Sequence, residues 1–174
     1  MGSSKPHHPS LIVVLMGVSG SGKTTIGKLL AQDLGWKFYE GDDFHPQMNV
    51  DKMHRGIPLN DEDRVPWLRA LRKLIHNLIA HSQRAVITCS APKQKYRSWL
   101  TTDGQDLFRV YLKGNYALIH ERMRSRKEHF MSPNLLTSQF LALEEPQDIL
   151  SVSIEQSPED IVNQIKQSLK IPQP

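Results

Sequence analysis

Residues 17–24 read Gly17-Val18-Ser19-Gly20-Ser21-Gly22-Lys23-Thr24, with Thr25 directly after them. An apolar, β-branched run at 11–16 precedes this octapeptide, and apolar residues at helical spacing follow it over 26–34. A buried strand, a glycine-rich turn and a helix N-terminus form a phosphate-binding loop, because the loop amides and the helix start face an anion. The motif therefore predicts that residues 17–25 bind a nucleoside triphosphate. Lys23 is expected at the β- and γ-phosphates, and the Thr24 hydroxyl at Mg²⁺.

Composition narrows the class of protein further. A chain of 174 residues predicts one domain, which we place at 11–172 after a polar, disordered lead at 1–10. A net charge of +4 fits a protein that handles ATP and an anionic small molecule. The basic residues are not interleaved with aromatic ones, so a nucleic-acid groove is not expected. The single cysteine, Cys89, fits a reducing cytoplasm, and no run of the sequence is long enough to span a membrane.

Strand and helix patterns alternate along the whole chain. Strands are predicted at 11–16, 36–40, 85–89, 107–112 and 149–154, and helices at 26–34, 49–55, 93–100, 116–126, 135–143 and from 158 onward. A long helix with Pro66 near its first turn is expected after a polar turn at 58–63. This alternation predicts an α/β fold, a three-layer domain with a parallel five-stranded sheet.

Polar clusters follow the predicted strands, where parallel sheets bind their ligands. Asp42 follows the second strand, and we interpret it as the carboxylate that orients an acceptor hydroxyl, rather than as the cap of a loop. His45 either contacts the substrate or forms a hydrogen bond within a turn. Lys93 and Arg97 follow the third strand. The convergence predicts an enzyme site at this edge of the sheet.

Arginines supply candidate anion ligands. Arg122 and Arg126 lie four residues apart on one helix face, and either cover a transferring phosphoryl group from a mobile flap or form a solvated surface. Arg55, Arg64 and Arg97 are candidates for a carboxylate on the substrate, since a guanidinium binds carboxylates bidentately. For any one of the three taken alone, an ordinary surface position is the favoured interpretation.

Longer stretches of the chain resemble the small gluconate kinases. The resemblance runs from residue 11 to about 146, and its most specific part lies between Gly41 and Leu68. The motifs that carry it are Gly41-Asp42, His45-Pro46, Asn49, Asp51-Lys52-Met53, Gly56, Pro58-Leu59-Asn60-Asp61, Asp63-Arg64, Pro66-Trp67-Leu68, Cys89-Ser90-Ala91, Lys93, Tyr96-Arg97, Tyr111-Leu112-Lys113-Gly114, Arg122, Arg126-Lys127, His129-Phe130 and Gln139.

This resemblance implies an ATP:gluconate 6-phosphotransferase with a fold like that of the nucleoside monophosphate kinases, a helical lid near 122–134, and a homodimer. It implies Asp42 near the acceptor hydroxyl and a set of side chains near the sugar acid, namely His45, Arg55, Arg64 and Arg97. It also implies Arg122 and Arg126 over the phosphates. Lys93 and Arg55 are the alternative anion ligands if Arg64 and Arg97 are not. Glu128 stands where glycine is frequent in the family, and would stiffen the lid.

Three other functions compete with this interpretation. A kinase for another metabolite, such as shikimate or a nucleoside monophosphate, would share the phosphate loop but not the stretch from Gly41 to Leu68. A non-catalytic nucleotide-binding switch would signal to a partner, although the sequence contains no Asn-Lys-x-Asp motif for guanine. A nucleic-acid-binding or end-phosphorylating protein would bind DNA or RNA in a salt-dependent way.

Overall fold

In the computed structural model of this chain, residues 11–102, 106–126 and 132–169 are described, and five strands within them form one parallel sheet. The strands are β1 (Leu11–Met16), β2 (Lys37–Tyr39), β3 (Arg84–Cys89), β4 (Leu107–Lys113) and β5 (Leu150–Ser153). They lie in the order β2-β3-β1-β4-β5. In the register of the central pair, Val13 lies opposite Val86. The α/β fold with a parallel five-stranded sheet is confirmed.

Seven α-helices within the described ranges cover this sheet. They are α1 (Lys23–Leu34), α2 (Gln47–His54), α3 (Asp61–Ala80), α4 (Gln94–Trp99), α5 (Tyr116–Ser125), α6 (Pro133–Ala142) and α7 (Pro158–Leu169). Each predicted helix is present, with ends that differ from the prediction by a few residues. None of these helices combines the length and apolar character needed to cross a bilayer.

The core consists of two apolar layers, one on each face of the sheet. Val13 and Leu15 pack with α1 and α7 on one face, while Ile12 and Val14 pack with α3 and α4 on the other. Successive strand residues point to opposite faces of the sheet. Because helices cover both faces, both sets of residues are fully buried. A strand buried on both faces needs the continuous apolar run that the sequence shows at 11–16.

Helix α3 begins earlier than the sequence pattern predicted. The side chain of Asn60 accepts a hydrogen bond from the Asp63 backbone N–H at 2.8 Å, and the Asp63 carboxylate accepts one from the Asn60 N–H at 3.0 Å. This capping box starts the helix at Asp61, so the predicted polar turn at 58–63 was too long. Pro66 therefore lies inside the helix, where it is exposed, and not near the first turn as predicted.

A short 3₁₀ helix, Gly41–Phe44, connects β2 to α2 and was not predicted. A Cβ atom at Gly41 would lie 1.8 Å from the carbonyl oxygen of Thr88, so only glycine fits here. The Gly41 N–H donates to the Thr88 hydroxyl at 2.9 Å, and the Trp67 indole N–H donates to the Gly41 carbonyl at 2.8 Å. These contacts fix the following residue, Asp42, at the carboxyl end of the sheet.

Candidate active site

The phosphate-binding loop has the predicted strand–loop–helix form. Gly22 precedes α1 with a left-handed φ of 95°, and no side chain caps the first N–H groups of this helix. Those donors and the positive end of the helix favour an anion. The Lys23 ammonium donates to the loop carbonyls of Gly17 at 2.9 Å and Val18 at 3.0 Å. Burial lowers the pKa of Lys23, but nearby carboxylates oppose this shift and favour the charged form.

A cavity of about 450 Å³ opens on this loop. It is lined by Ser19, Gly20, Gly22, Lys23, Thr24, Thr25, Glu40, Asp42, Met53, His54, Met123, Leu135 and Arg126. Its volume and its loop amides suit the phosphates of a nucleotide. A smaller and shallower depression of about 370 Å³ at the opposite end of the strands, around Gly35 and Arg84, holds none of the predicted site residues.

Glu40 connects the loop to the sheet and is a site residue that sequence reasoning missed. Its carboxylate accepts a hydrogen bond from the Thr24 hydroxyl at 2.5 Å and another from the Thr88 hydroxyl. Two hard oxygen groups, one of them anionic, thus lie side by side at the cavity wall, and they fit the oxygen ligands that Mg²⁺ prefers. The position of Glu40 after β2, directly before Gly41-Asp42, was the signal that could have found it.

Asp42 lies where two cavities meet. It lines the large cavity and also a small one of about 50 Å³ that contains His45, Arg64 and Ser90. Its side chain is 62% exposed, so both cavities can reach the carboxylate. Partial burial raises the pKa of Asp42 above its ordinary value, while the Lys23 ammonium opposes the rise. A carboxylate at this junction can accept a proton from a group in the small cavity that attacks a phosphate in the large one.

His45 is held as a neutral ring at the wall of the small cavity. Its ring stacks on Trp67 with centroids 4.4 Å apart, and its side chain is only 4% exposed. Burial, together with the positive charge of Arg64, lowers the pKa of His45 to about 4. Its Nε2 atom lies 3.9 Å from the Asp42 carboxylate. The structure therefore brings Asp42, His45 and Arg64 together at the small cavity.

Arg64 is the arginine that the structure places in the small cavity. One of its terminal nitrogens donates to the Leu59 carbonyl at 3.3 Å, and its guanidinium carbon lies 5.1 Å from the centre of the Tyr96 ring. Its Nε atom is buried and has no hydrogen-bond partner among the described residues. A buried donor without a partner is costly, so this guanidinium suits an anionic group that enters the cavity.

Three other predicted substrate ligands lie elsewhere, and for these the prediction is corrected. As far as the described residues define the two cavities, none of Arg55, Lys93 and Arg97 lines them. Arg55 is exposed and its Nε donates to the Asp51 carbonyl of its own helix. Lys93 pairs with the Asp61 carboxylate at 3.2 Å.

Arg97 is buried instead in a backbone site. Its N–H groups donate to the carbonyls of Ala91, Pro92 and Glu144 and to the side chain of Gln94. These five hydrogen bonds match the five donors of a guanidinium. None of its donors therefore remains for a substrate carboxylate.

The two arginines of the predicted lid differ. Helix α5 carries Arg122 and ends at Ser125. Arg126 therefore lies just beyond the helix, and it lines the large cavity. Arg122 is half-buried and donates to the Ile154 carbonyl at 2.7 Å, away from that cavity. Residues 127–131 of the predicted lid, including Glu128, lie outside the described residues, and residues 132–134 form the start of α6.

Gln139 on α6 contacts the phosphate loop and is a second residue without a predicted role in the site. Its side-chain oxygen accepts a hydrogen bond from the Ser19 backbone N–H at 2.8 Å, and its amide donates to the Ser19 hydroxyl at 3.0 Å. The helix behind the lid is thus fastened to a loop amide that suits a phosphate. No local signal in the sequence points from residue 139 to residue 19, since they are 120 residues apart.

Comparisons with known proteins agree with this geometry. The family model for shikimate kinase matches residues 19–170. A thermosensitive gluconokinase of Escherichia coli K12 is 44% identical over 160 residues, which cover 90% of this chain and 86% of that protein. A probable gluconokinase of Mus musculus is 41% identical, with 91% of this chain and 97% of that protein covered.

Solved structures give the same result. A gluconokinase from Sinorhizobium meliloti 1021 is 38% identical and superimposes with a TM-score of 0.79, covering 92% of this chain and 95% of the other. The identities of 38% and 44% to gluconokinases extend over most of both chains. Identities this high show membership of the same family and not only a common fold. The chain therefore belongs to the shikimate kinase family in the broad sense of that model and, within it, to the gluconokinases.

Proposed function

We propose that this chain transfers the γ-phosphoryl group of ATP to the 6-hydroxyl of D-gluconate, forming 6-phosphogluconate and ADP. The observation that carries the proposal is the position of Asp42, which lines both the large cavity at the phosphate loop and the smaller cavity that contains Arg64. The Asp42 carboxylate can therefore contact an acceptor in the small cavity beside a phosphate in the large one. Kinship with the gluconokinases supports gluconate as the acceptor.

On the nucleotide side, the loop from Gly17 to Thr25 holds the phosphates through its amides. Lys23 exchanges the carbonyls it now contacts for the β- and γ-phosphate oxygens, where its charge stabilises the transition state. Thr24 and Glu40 would hold Mg²⁺, which neutralises phosphate charge when it is bound. Arg126, the predicted lid arginine that lines the large cavity, adds a cation from the opposite side.

On the acceptor side, the Asp42 carboxylate accepts the proton of the 6-hydroxyl while its oxygen attacks the γ-phosphorus. The new bond joins O6 to phosphorus, and the bond from phosphorus to the β–γ bridging oxygen breaks. The electron pair leaves with ADP. Arg64 pairs with the gluconate carboxylate at the other end of the acceptor, which supplies both charge and orientation.

The decisive experiment measures ADP release from ATP with gluconate, glucose, shikimate or AMP as acceptor, with the phosphorylated position read by ³¹P NMR. We expect turnover with gluconate and phosphate at its 6-position. Preferred turnover of shikimate or AMP would favour another small-metabolite kinase. Nucleotide binding without turnover of any acceptor would favour a switch.

We also propose a homodimer in the cytoplasm with no nucleic-acid or membrane partner, as the sequence resemblance to the gluconate kinases implies. Light scattering on the purified chain tests the dimer, and a monomer at micromolar concentration would contradict it. Binding of DNA or RNA that weakens as salt is added would contradict the absence of a nucleic-acid partner.

A further inference from the structure

A buried asparagine, Asn49 on α2, determines which nitrogen of His45 carries the proton. Asn49 is 1% exposed, and its side-chain nitrogen donates to the Asp63 carbonyl at 2.8 Å and lies 3.2 Å from His45 Nδ1. A backbone carbonyl only accepts hydrogen bonds, so the atom facing it is the amide nitrogen. The second N–H of this amide then points to Nδ1, which must accept. The proton of the neutral imidazole is therefore on Nε2.

The imidazole plane is fixed by its neighbours. His45 stacks on Trp67 with an interplanar angle of 12°, and the Trp67 indole is held by the Gly41 carbonyl at 2.8 Å. This places Nε2 3.9 Å from the Asp42 carboxylate oxygen. That distance is too long for a direct hydrogen bond, but it leaves room for one oxygen atom about 2.8 Å from both groups.

We infer that Asn49 is a positioning residue, which holds His45 in its Nε2–H form so that the imidazole donates a hydrogen bond to the acceptor hydroxyl beside Asp42. The hydroxyl oxygen accepts from Nε2–H and donates its own proton to the carboxylate, which leaves a lone pair for phosphorus. The inference rests on the proposed function for the identity of the acceptor. The tautomer itself depends only on the described contacts.

The first test reads the tautomer directly in the folded protein. The chain is labelled with ¹⁵N-histidine, and the ring nitrogens are observed by long-range proton–nitrogen correlation at pH 7, with the His45 signals identified from their absence in His45→Gln. We expect a protonated Nε2 and an unprotonated Nδ1 for His45. In Asn49→Ala we expect a mixture of both tautomers. A parent protein with Nδ1 protonated overturns the inference, as does an Asn49→Ala protein that keeps the pure Nε2–H form.

The second test separates positioning from general loss of structure. Asn49→Ala should lower kcat/KM for gluconate by roughly tenfold to a hundredfold, as expected for a misplaced reacting group, and leave KM for ATP nearly unchanged. The matched control is Ser157→Ala, which removes the side-chain cap at the start of α7 without touching His45, Asn49 or Asp63. We expect the control to keep the Nε2–H form and the gluconate kinetics. The same kinetic loss in the control would overturn the role of Asn49.

If Asn49→Ala does not fold, two His45 variants test which ring nitrogen must donate the hydrogen bond. Glutamine places an amide donor near the Nε2 position, and asparagine places one near Nδ1. Better retention of gluconate kcat/KM in His45→Gln than in His45→Asn supports the inference, and equal or inverse retention overturns it. Failure of the proposed function looks different, because gluconate is then not phosphorylated at all while the parent tautomer can still be Nε2–H.

Discussion

Replacing Arg97 should destabilise the folded protein rather than change its substrate preference. This guanidinium is 3% exposed and ties the loop after β3 to the segment before β5, since its donors reach Ala91, Pro92 and Glu144. The Pro92 carbonyl also accepts from the Glu144 backbone N–H at 2.8 Å, so it keeps a partner when the arginine is removed. The carbonyls of Ala91 and Glu144 lose the guanidinium donor in Arg97→Ala.

The magnitude follows from the Ala91 carbonyl, because Ala91 is buried whereas Glu144 is exposed to water. A buried acceptor left without a donor costs about 1–3 kcal/mol, so Arg97→Ala should lose about 1–3 kcal/mol in the free energy of unfolding. For a domain of this size, 1 kcal/mol shifts Tm by about 2–4 °C, so the middle of that range lowers Tm by roughly 4–8 °C. Arg97→Lys keeps the charge but has three donors instead of five, and should lose less stability than Arg97→Ala.

Urea unfolding followed by circular dichroism measures the stability of both variants, and kcat/KM for gluconate and glucose measures their specificity. We expect a loss of stability in both variants, larger in Arg97→Ala than in Arg97→Lys. We also expect Arg97→Lys to keep the parental ratio of gluconate to glucose activity. A variant with parental stability that no longer distinguishes gluconate from glucose would refute this reasoning. Arg97 would then bind the substrate carboxylate, as its sequence position first suggested.

Four further outcomes are expected from the site. Lys23→Ala should lose on the order of 10²-fold in kcat, because a preorganised charge at the phosphates is removed, and near-normal kcat in the folded variant would exclude this role. Asp42→Asn should bind ATP almost normally in calorimetry but barely phosphorylate gluconate, and a collapse of ATP binding with kcat preserved would assign Asp42 to the metal or the fold. Arg64→Lys should reduce the preference for gluconate over glucose in kcat/KM, since lysine cannot form the bidentate pair, and an unchanged preference would place the anion site elsewhere. His45 has a pKa of about 4 in the folded chain and an ordinary value near 6.5, so the unfolded chain takes up a proton first as pH falls. Urea midpoints should therefore fall between pH 6.5 and 4, with up to about 3 kcal/mol lost through His45, and His45→Gln should flatten this part of the profile; an equally steep profile in that variant would contradict it.

The parts of the fold that sequence reasoning predicted well depend on local patterns. The strand at 11–16, the glycine loop and the helix after it lie together in the chain, so their contacts needed no knowledge of distant residues. The alternation of strands and helices could also be predicted from the sequence, since the strands β1 and β3 are buried on both faces and show continuous apolar runs. The start of α3 was readable too, because Asn60 and Asp63 have capping-box spacing, but the more conspicuous Pro66 suggested a later start.

The role of each arginine depends on tertiary contacts that spacing does not reveal. Arg64 and Arg97 are both plausible carboxylate ligands by residue type. Arg64 lies in the first turns of α3, and Arg97 lies in α4, which follows β3. Only the folded chain shows that Arg97 faces the carbonyl of Glu144, 47 residues away, whereas Arg64 faces the small cavity. The Glu40–Thr24 and Gln139–Ser19 contacts were missed for the same reason.

The buried Arg97 and the half-buried Arg64 together indicate where an anion belongs. All five donors of Arg97 form hydrogen bonds within the protein, which stabilises the fold. No donor of this residue remains for a ligand. Arg64 keeps a buried Nε without a partner among the described residues, at a cost of about 1–3 kcal/mol that the folded chain must carry when the cavity is empty. A carboxylate that enters the cavity satisfies this donor and recovers the cost, whereas a neutral sugar of the same length cannot supply the charge. We therefore propose that this unpartnered Arg64 donor contributes to the preference of the acceptor site for an anionic substrate.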